Sequence, residues 1–167
     1  MRFFYDCEFI EDGHTIDLVS IGVVDETGRE FYAVSTEFAA ERAGPWVRQH
    51  VLPQLPSPGS GAWRSRATIR DELYGFLTAQ RSDIELWAWY AAYDHVALAQ
   101  LWGAMPALPP KIPKFTRDLR QQWEAVGKPR LPSPPANAHD ALADAKHNLR
   151  RWQVIEQRMR ELGHPAR

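Results

Sequence analysis

Asp6 and Glu8 stand with one residue between them in the run FFYDCEFIEDG at residues 3–13, which otherwise reads as a buried strand. Successive strand side chains point to opposite faces, so the two carboxylates project side by side. Like charges at that separation repel unless a cation holds them or one takes a proton. Acids are seldom buried in an apolar strand without partners, and Phe3, Phe4, Tyr5, Phe9 and Ile10 make this strand apolar. A bound metal ion is the economical answer, and it needs ligands from elsewhere in the chain. Asp94 follows an apolar run and opens a helix, a place where the helix dipole alone also favours an acid. Asp144 falls one turn into the last helix, Asp140 reads as that helix's N-cap, and His139 stands just before the cap. Five residues on one helix is an offset of about 140°, so His139 and Asp144 would not share a face. A loop position for His139 removes that constraint and lets the imidazole turn toward a site that Asp144 faces. A base of that kind beside carboxylates suits hydrolysis near neutrality.

These residues need elements to position them. Apolar alternation and turn residues predict three strands: FFYDCEF, then TIDLVSIGVV after Glu11-Asp12-Gly13, then EFYAVS after Asp25-Glu26-Thr27-Gly28. A short helix is expected in PWVRQHVLPQL, residues 45–55, with Pro45 near its first turn. Ile69, Leu73, Phe76 and Leu77 recur at helical spacing across 67–78. IELWAWY (84–90) reads as a strand, AAYDHVALAQLW (91–102) as a helix, and KFTRDLRQQWEAVG becomes helical toward its end. Ala141, Leu142, Ala145, Leu149, Trp152 and Ile155 form the apolar stripe of a last helix from Asp140 to about Leu162. The proline-rich stretches are short enough to be surface loops. The expected fold is α/β: a mixed sheet whose first three strands are antiparallel, then alternating helices and strands, with helices flanking it.

Composition sets bounds. A chain of 167 residues fits one domain, residues 1–167, that buries roughly 70% of its unfolded surface. The net charge is −1, so a nucleic-acid partner would need a local basic patch. Cys7 is the one cysteine, which excludes an intrachain disulfide, and it reads as a small buried residue on the face opposite the two acids. With no apolar run of membrane-spanning length and no basic-then-apolar start, a cytoplasmic protein without a membrane partner is expected.

Asp6-Cys7-Glu8, then Tyr93-Asp94-His95-Val96-Ala97-Leu98, then HDALAD from His139 to Asp144 resemble in order and spacing the DEDDh family of 3′→5′ exonucleases. The stretches FYDCEFIEDGHTIDLVSIGVV, YAVSTEF, ELWAWYAAYDHVAL and HDALADA are similar to the family's actinobacterial branch, the polyadenylate-specific 3′-exoribonucleases. Phe9 and Tyr90 depart from the pattern: many members carry Thr and Asn there. The resemblance implies a ribonuclease-H-like fold and two divalent cations, Mg²⁺ or Mn²⁺, roughly 4 Å apart. It implies that Asp6 bridges both ions, that Glu8 and Asp144 complete the nucleophile side, that Asp94 supports the leaving-group side, and that His139 takes the water's proton. It also implies an adenylate-rich single-stranded RNA 3′ end as substrate, nucleoside 5′-monophosphates as products, and a homodimer.

Bases stack on aromatic side chains, and the expected substrate contacts are Phe9, Ile10 and Tyr93 beside the motifs, with Trp63 next to the 56–61 loop; core packing is the competing role for each. Lys111, Lys114 and Arg117 could meet phosphates, although a solvated face is the stronger reading. Three other functions compete: a DNA or short mixed-RNA exonuclease with the same site, a silent nucleic-acid-binding module, and a nucleotide phosphatase.

Overall fold

The computed structural model describes residues 1–80 and 82–163. β1 (Arg2–Glu11), β2 (Ile16–Asp25) and β3 (Glu30–Ser35) form the expected antiparallel meander. Its turns close on side chains: Asp12 Oδ1 accepts from the His14 and Thr15 N–H groups, and Asp25 Oδ1 from those of Thr27 and Arg29. Both turns also contain a left-handed residue, Gly13 and Gly28, which glycine adopts without a Cβ clash. The chain continues through α1 (Pro45–His50), β4 (Trp63–Arg64), α2 (Arg66–Thr78), β5 (Glu85–Ala88), α3 (Ala92–Gln100), β6 (Arg117–Asp118), α4 (Leu119–Ala125) and α5 (Ala141–Glu161). The sheet runs β4-β3-β2-β1-β5-β6, with β5 parallel to β1, β6 to β5 and β4 to β3. The mixed α/β sheet with flanking helices is therefore as expected.

β1 sits inside the sheet and divides its side chains between two layers. Phe3, Tyr5 and Cys7 pack with Ile69, Leu73 and Leu77 of α2 and Ala97 and Leu98 of α3. Phe4 faces the other way, packing with Leu119 of α4 and Trp152 and Ile155 of α5. Burying each large apolar side chain contributes roughly 1.5–3 kcal/mol, so α5 is held firmly on the face that also carries Asp6 and Glu8. Gly22 lets the helix start lie close. It pairs with Asp6 across the strands, and a Cβ on it would fall 2.3 Å from the Leu142 backbone nitrogen and 2.4 Å from the Ala141 carbonyl.

Two boundaries and two short strands differ from expectation. β5 stops at Ala88, because Trp89 and Tyr90 turn the chain into α3 and Tyr90 takes a positive φ of 59°. The 45–55 helix ends at His50, and a 3-10 turn over Leu52–Gln54 follows, where Pro53 cannot donate to a continuing helix. β4 and β6 have two residues each, too short to show alternation in sequence. Among the described residues no helix is long and apolar enough to cross a membrane.

Candidate active site

A cavity of about 860 Å³ opens where the middle of β1, the start of α3 and the start of α5 meet. Asp6, Glu8, Asp94, His139 and Asp144 all line it. Glu8 is 8% exposed and Asp94 5% exposed. Strand alternation delivers Asp6 and Glu8 to the α5 side, and a β-bulge between Glu8 and Phe9 ends that alternation just beyond them. Asp94 is fixed from two directions. Its Oδ1 accepts the Cys7 N–H at 2.8 Å. The turn before it is tied down by Asp118 Oδ2, which accepts the Ala91 N–H at 3.0 Å.

α5 begins as expected. Asp140 is the N-cap, with its side chain accepting from the Ala143 N–H, and Asp144 sits in the first turn. His139 lies outside the helix at φ 73°, a left-handed conformation that costs a non-glycine residue about 1–3 kcal/mol. Its backbone N–H donates to Asp144 Oδ2 at 2.7 Å, which ties the loop to the helix. Its ring meets Trp46 of α1 edge-on, with centroids 4.7 Å apart and planes at 81°. The loop position thus removes the face problem, and the imidazole joins the acids. Ligand atoms of Glu8, His139 and Asp144 all fall within 4.8 Å of one another.

The electrostatics have one dominant cause. Burial raises the pKa of Glu8 to about 8, with Asp144 and Asp94 adding repulsion. Burial also raises Asp94 to about 7. Asp6 is pushed well above the usual carboxylate range, first by lost hydration and then by Asp94, Glu8 and Asp144. Asp144 moves the same way, moderated by the His139 N–H. Four acids raised chiefly by burial in one cavity are costly to ionise unless cations share their charge. Oxygen donors of this kind suit hard divalent ions such as Mg²⁺ or Mn²⁺.

Residues 1–156 match the family model of the 3′-5′ exoribonuclease Rv2179c-like domain. The chain belongs to that family. Among similar members are 3′-5′ exoribonuclease Rv2179c of Mycobacterium tuberculosis strain H37Rv and 3′-5′ exoribonuclease MT2234.1 of strain CDC 1551. Each is 65% identical over 156 residues, covering 93% of this chain and 93% of the relative. Membership in this exoribonuclease family bears out the expected enzyme class, against the silent binding module. In fold, the chain is similar to Pop2p of S. pombe, solved in an Mg²⁺- and Mn²⁺-bound form, with a TM-score of 0.56 at 13% identity, covering 96% of this chain and 84% of that one. A full-length 3′-exonuclease gives 0.53 at 12% identity, covering 99% and 84%. These neighbours bear out the ribonuclease-H-like fold.

The expected substrate contacts divide. Phe9 and Tyr93 line the cavity, their rings stacked at 5.6 Å with planes 9° apart. Ile10 does not: it is 3% exposed, packed with Val19, Ala43 and Val51, and has no face left for a base. Trp63 is also elsewhere, stacked on Phe38, with its indole N–H donating to the Pro56 and Ser57 carbonyls. Lys111, Lys114 and Arg117 border other surface hollows.

Trp46, Trp89, Tyr90 and Arg151 also line the cavity and were not among the candidates. For Arg151 the sequence held a signal, since it lies seven residues after Asp144 and so shares its helix face. Trp46 gave none, because only the path from β3 to α1 brings it to His139.

Proposed function

We propose that this chain is a metal-dependent 3′→5′ exoribonuclease that prefers adenylate-rich single-stranded RNA and releases nucleoside 5′-monophosphates in the cytoplasm. The observation that carries the reading is the meeting of Asp6, Glu8, Asp94, Asp144 and His139 in one nucleotide-sized cavity. Asp6, Glu8 and Asp144 would be the main cation ligands, and Asp94 would support the leaving-group side. When bound, two divalent cations supply a nucleophile at neutral pH and relief of phosphate charge. An imidazole nitrogen of His139, aimed by Trp46 and by the tie between the His139 backbone N–H and Asp144 Oδ2, accepts the proton of the attacking water. The water oxygen bonds to phosphorus, the P–O3′ bond breaks with its electron pair on O3′, and that oxygen takes a proton from solvent, so the shortened strand keeps a 3′-hydroxyl. Phe9 and Tyr93 give the terminal base an aromatic surface, a contact worth about 1–3 kcal/mol that tolerates sequence. Adenylate preference and a homodimer are supported by the resemblance to the polyadenylate-specific branch.

The test is digestion of 5′-labelled oligoadenylate in Mg²⁺ beside mixed-sequence RNA and DNA of equal length. A ladder strongest on oligoadenylate and weakest on DNA is expected. Equal ladders on all three substrates would refute the adenylate and RNA preferences. Cleavage confined to free mononucleotides would refute the exonuclease reading.

A further inference from the structure

Arg151 is a cation on the wall of an acid-lined cavity. It shares the α5 face of Asp144 and Asn148. Its guanidinium carbon lies 4.3 Å from the Trp89 ring centroid, and its Nη1 donates to Asn148 Oδ1 at 2.9 Å. Asn148 is fully buried and donates in turn to the Tyr5 carbonyl at 3.1 Å, next to Asp6. The guanidinium is therefore held on one face by an indole and at one edge by a buried amide. The indole and the amide limit the freedom of the guanidinium, and among the described residues its other donors take no hydrogen bond. Its charge acts on both Asp6 and Asp144. Yet among the described residues no carboxylate comes within 4 Å of it. A salt bridge to the acids would have closed that gap. The gap suits an anion that meets the acid cluster through cations and Arg151 directly. A phosphodiester has the required charge and paired oxygens.

We infer that Arg151 is an RNA-binding residue whose guanidinium grips the non-bridging oxygens of a substrate phosphate beside the acid cluster. This rests on the cavity being the site of RNA hydrolysis. Trp89 and Asn148 are positioning residues for that grip, and Arg151 joins the site as a phosphate ligand. The alternative role is purely internal, a fixed charge that offsets repulsion among the acids. The two roles separate experimentally. On single-stranded nucleic acid, a cation that no longer meets its phosphate lowers the salt dependence of binding by about 0.7 in the log–log slope. An internal charge instead alters stability and metal affinity.

The experiment compares the wild-type chain with Arg151→Gln and Arg151→Lys on oligoadenylate RNA at saturating Mg²⁺, with KCl varied. Arg151→Gln should raise KM about 10- to 100-fold, the range for removing a charge-assisted hydrogen bond. It should change kcat far less and flatten the salt slope of kcat/KM by about 0.7. Arg151→Lys should keep the slope, because the charge remains, and recover only part of KM, because the fork is gone. An unchanged slope and KM in Arg151→Gln, with melting temperature or Mg²⁺ half-saturation shifted, would overturn the inference. A wild-type chain that leaves RNA intact would defeat the hydrolysis reading and the inference together. Wild-type digestion with a slope that Arg151→Gln does not change would defeat the inference alone.

Discussion

Replacing Gly22 with alanine should cripple the enzyme more than it destabilises the fold. Gly22 pairs with Asp6 across β1 and β2, and the start of α5 lies directly over it. The new methyl would meet the Leu142 nitrogen at 2.3 Å and the Ala141 carbonyl atoms at 2.4 Å. These are backbone atoms, so no rotamer change relieves the clash. Ordinary contact needs the helix start to retreat by roughly 1 Å. Asp144 and the tethered His139 would retreat with it, while Asp6 and Glu8 stay in the sheet. A displacement of that size at a reacting centre costs about 10²-fold in rate. The fold loses about 1–3 kcal/mol to overpacking, which lowers Tm by roughly 2–12 °C for a domain of this size. The assay is kcat on labelled oligoadenylate at saturating Mg²⁺, with a circular-dichroism melt on the same sample. Gly75→Ala is the control. Gly75 is inside α2 with nothing within 4 Å of its missing Cβ, so alanine there should stabilise by about 0.5–1 kcal/mol and leave kcat alone. A folded Gly22→Ala chain with kcat within about twofold of wild type would refute the claim that this close approach sets the site geometry.

Without metal, the chain should lose stability as pH rises from about 5 to 8. The raised carboxyls of Glu8, about 8, and Asp94, about 7, keep protons that the unfolded chain has already released; Mg²⁺ should flatten the dependence in thermal melts. Tyr93→Ala should raise KM for oligoadenylate by roughly 5- to 150-fold by removing a stacking surface, with a smaller change in kcat; an unchanged KM would remove Tyr93 from the substrate site. Trp46→Ala should lower kcat by roughly 3- to 10-fold by releasing the edge-on ring that aims His139. Trp46→Phe should retain most of the rate, and equal losses in both variants would count against aiming.

Much of this was legible in the sequence because it depends on local rules. Turn residues and alternation define the meander. The cap at Asp140 and the stripe of Ala141, Ala145, Trp152 and Ile155 define α5. Together they place Asp6, Glu8 and Asp144 on facing elements. What depends on tertiary geometry was not legible. The bulge after Glu8 sends Ile10 into a small cluster of its own, and no residue type in the run announces it. Trp63 is drawn to Phe38 by the pairing of a two-residue strand with β3. His147 and Asn148 are buried on α5 although their side chains are polar, and the role of Asn148 in holding Arg151 emerges only once the helix lies against β1.

The most direct test of the metal-centred site is the rate of 3′-end shortening against divalent cation concentration, for wild type and Asp6→Asn. The account predicts no shortening by wild type in chelator and recovery with Mg²⁺ or Mn²⁺. In Asp6→Asn it predicts a loss of at least about 10³-fold at every metal concentration, with the fold intact, because one of the acids that hold the cations is gone. Shortening by wild type in chelator, or a folded Asp6→Asn chain with near wild-type rate, would contradict it.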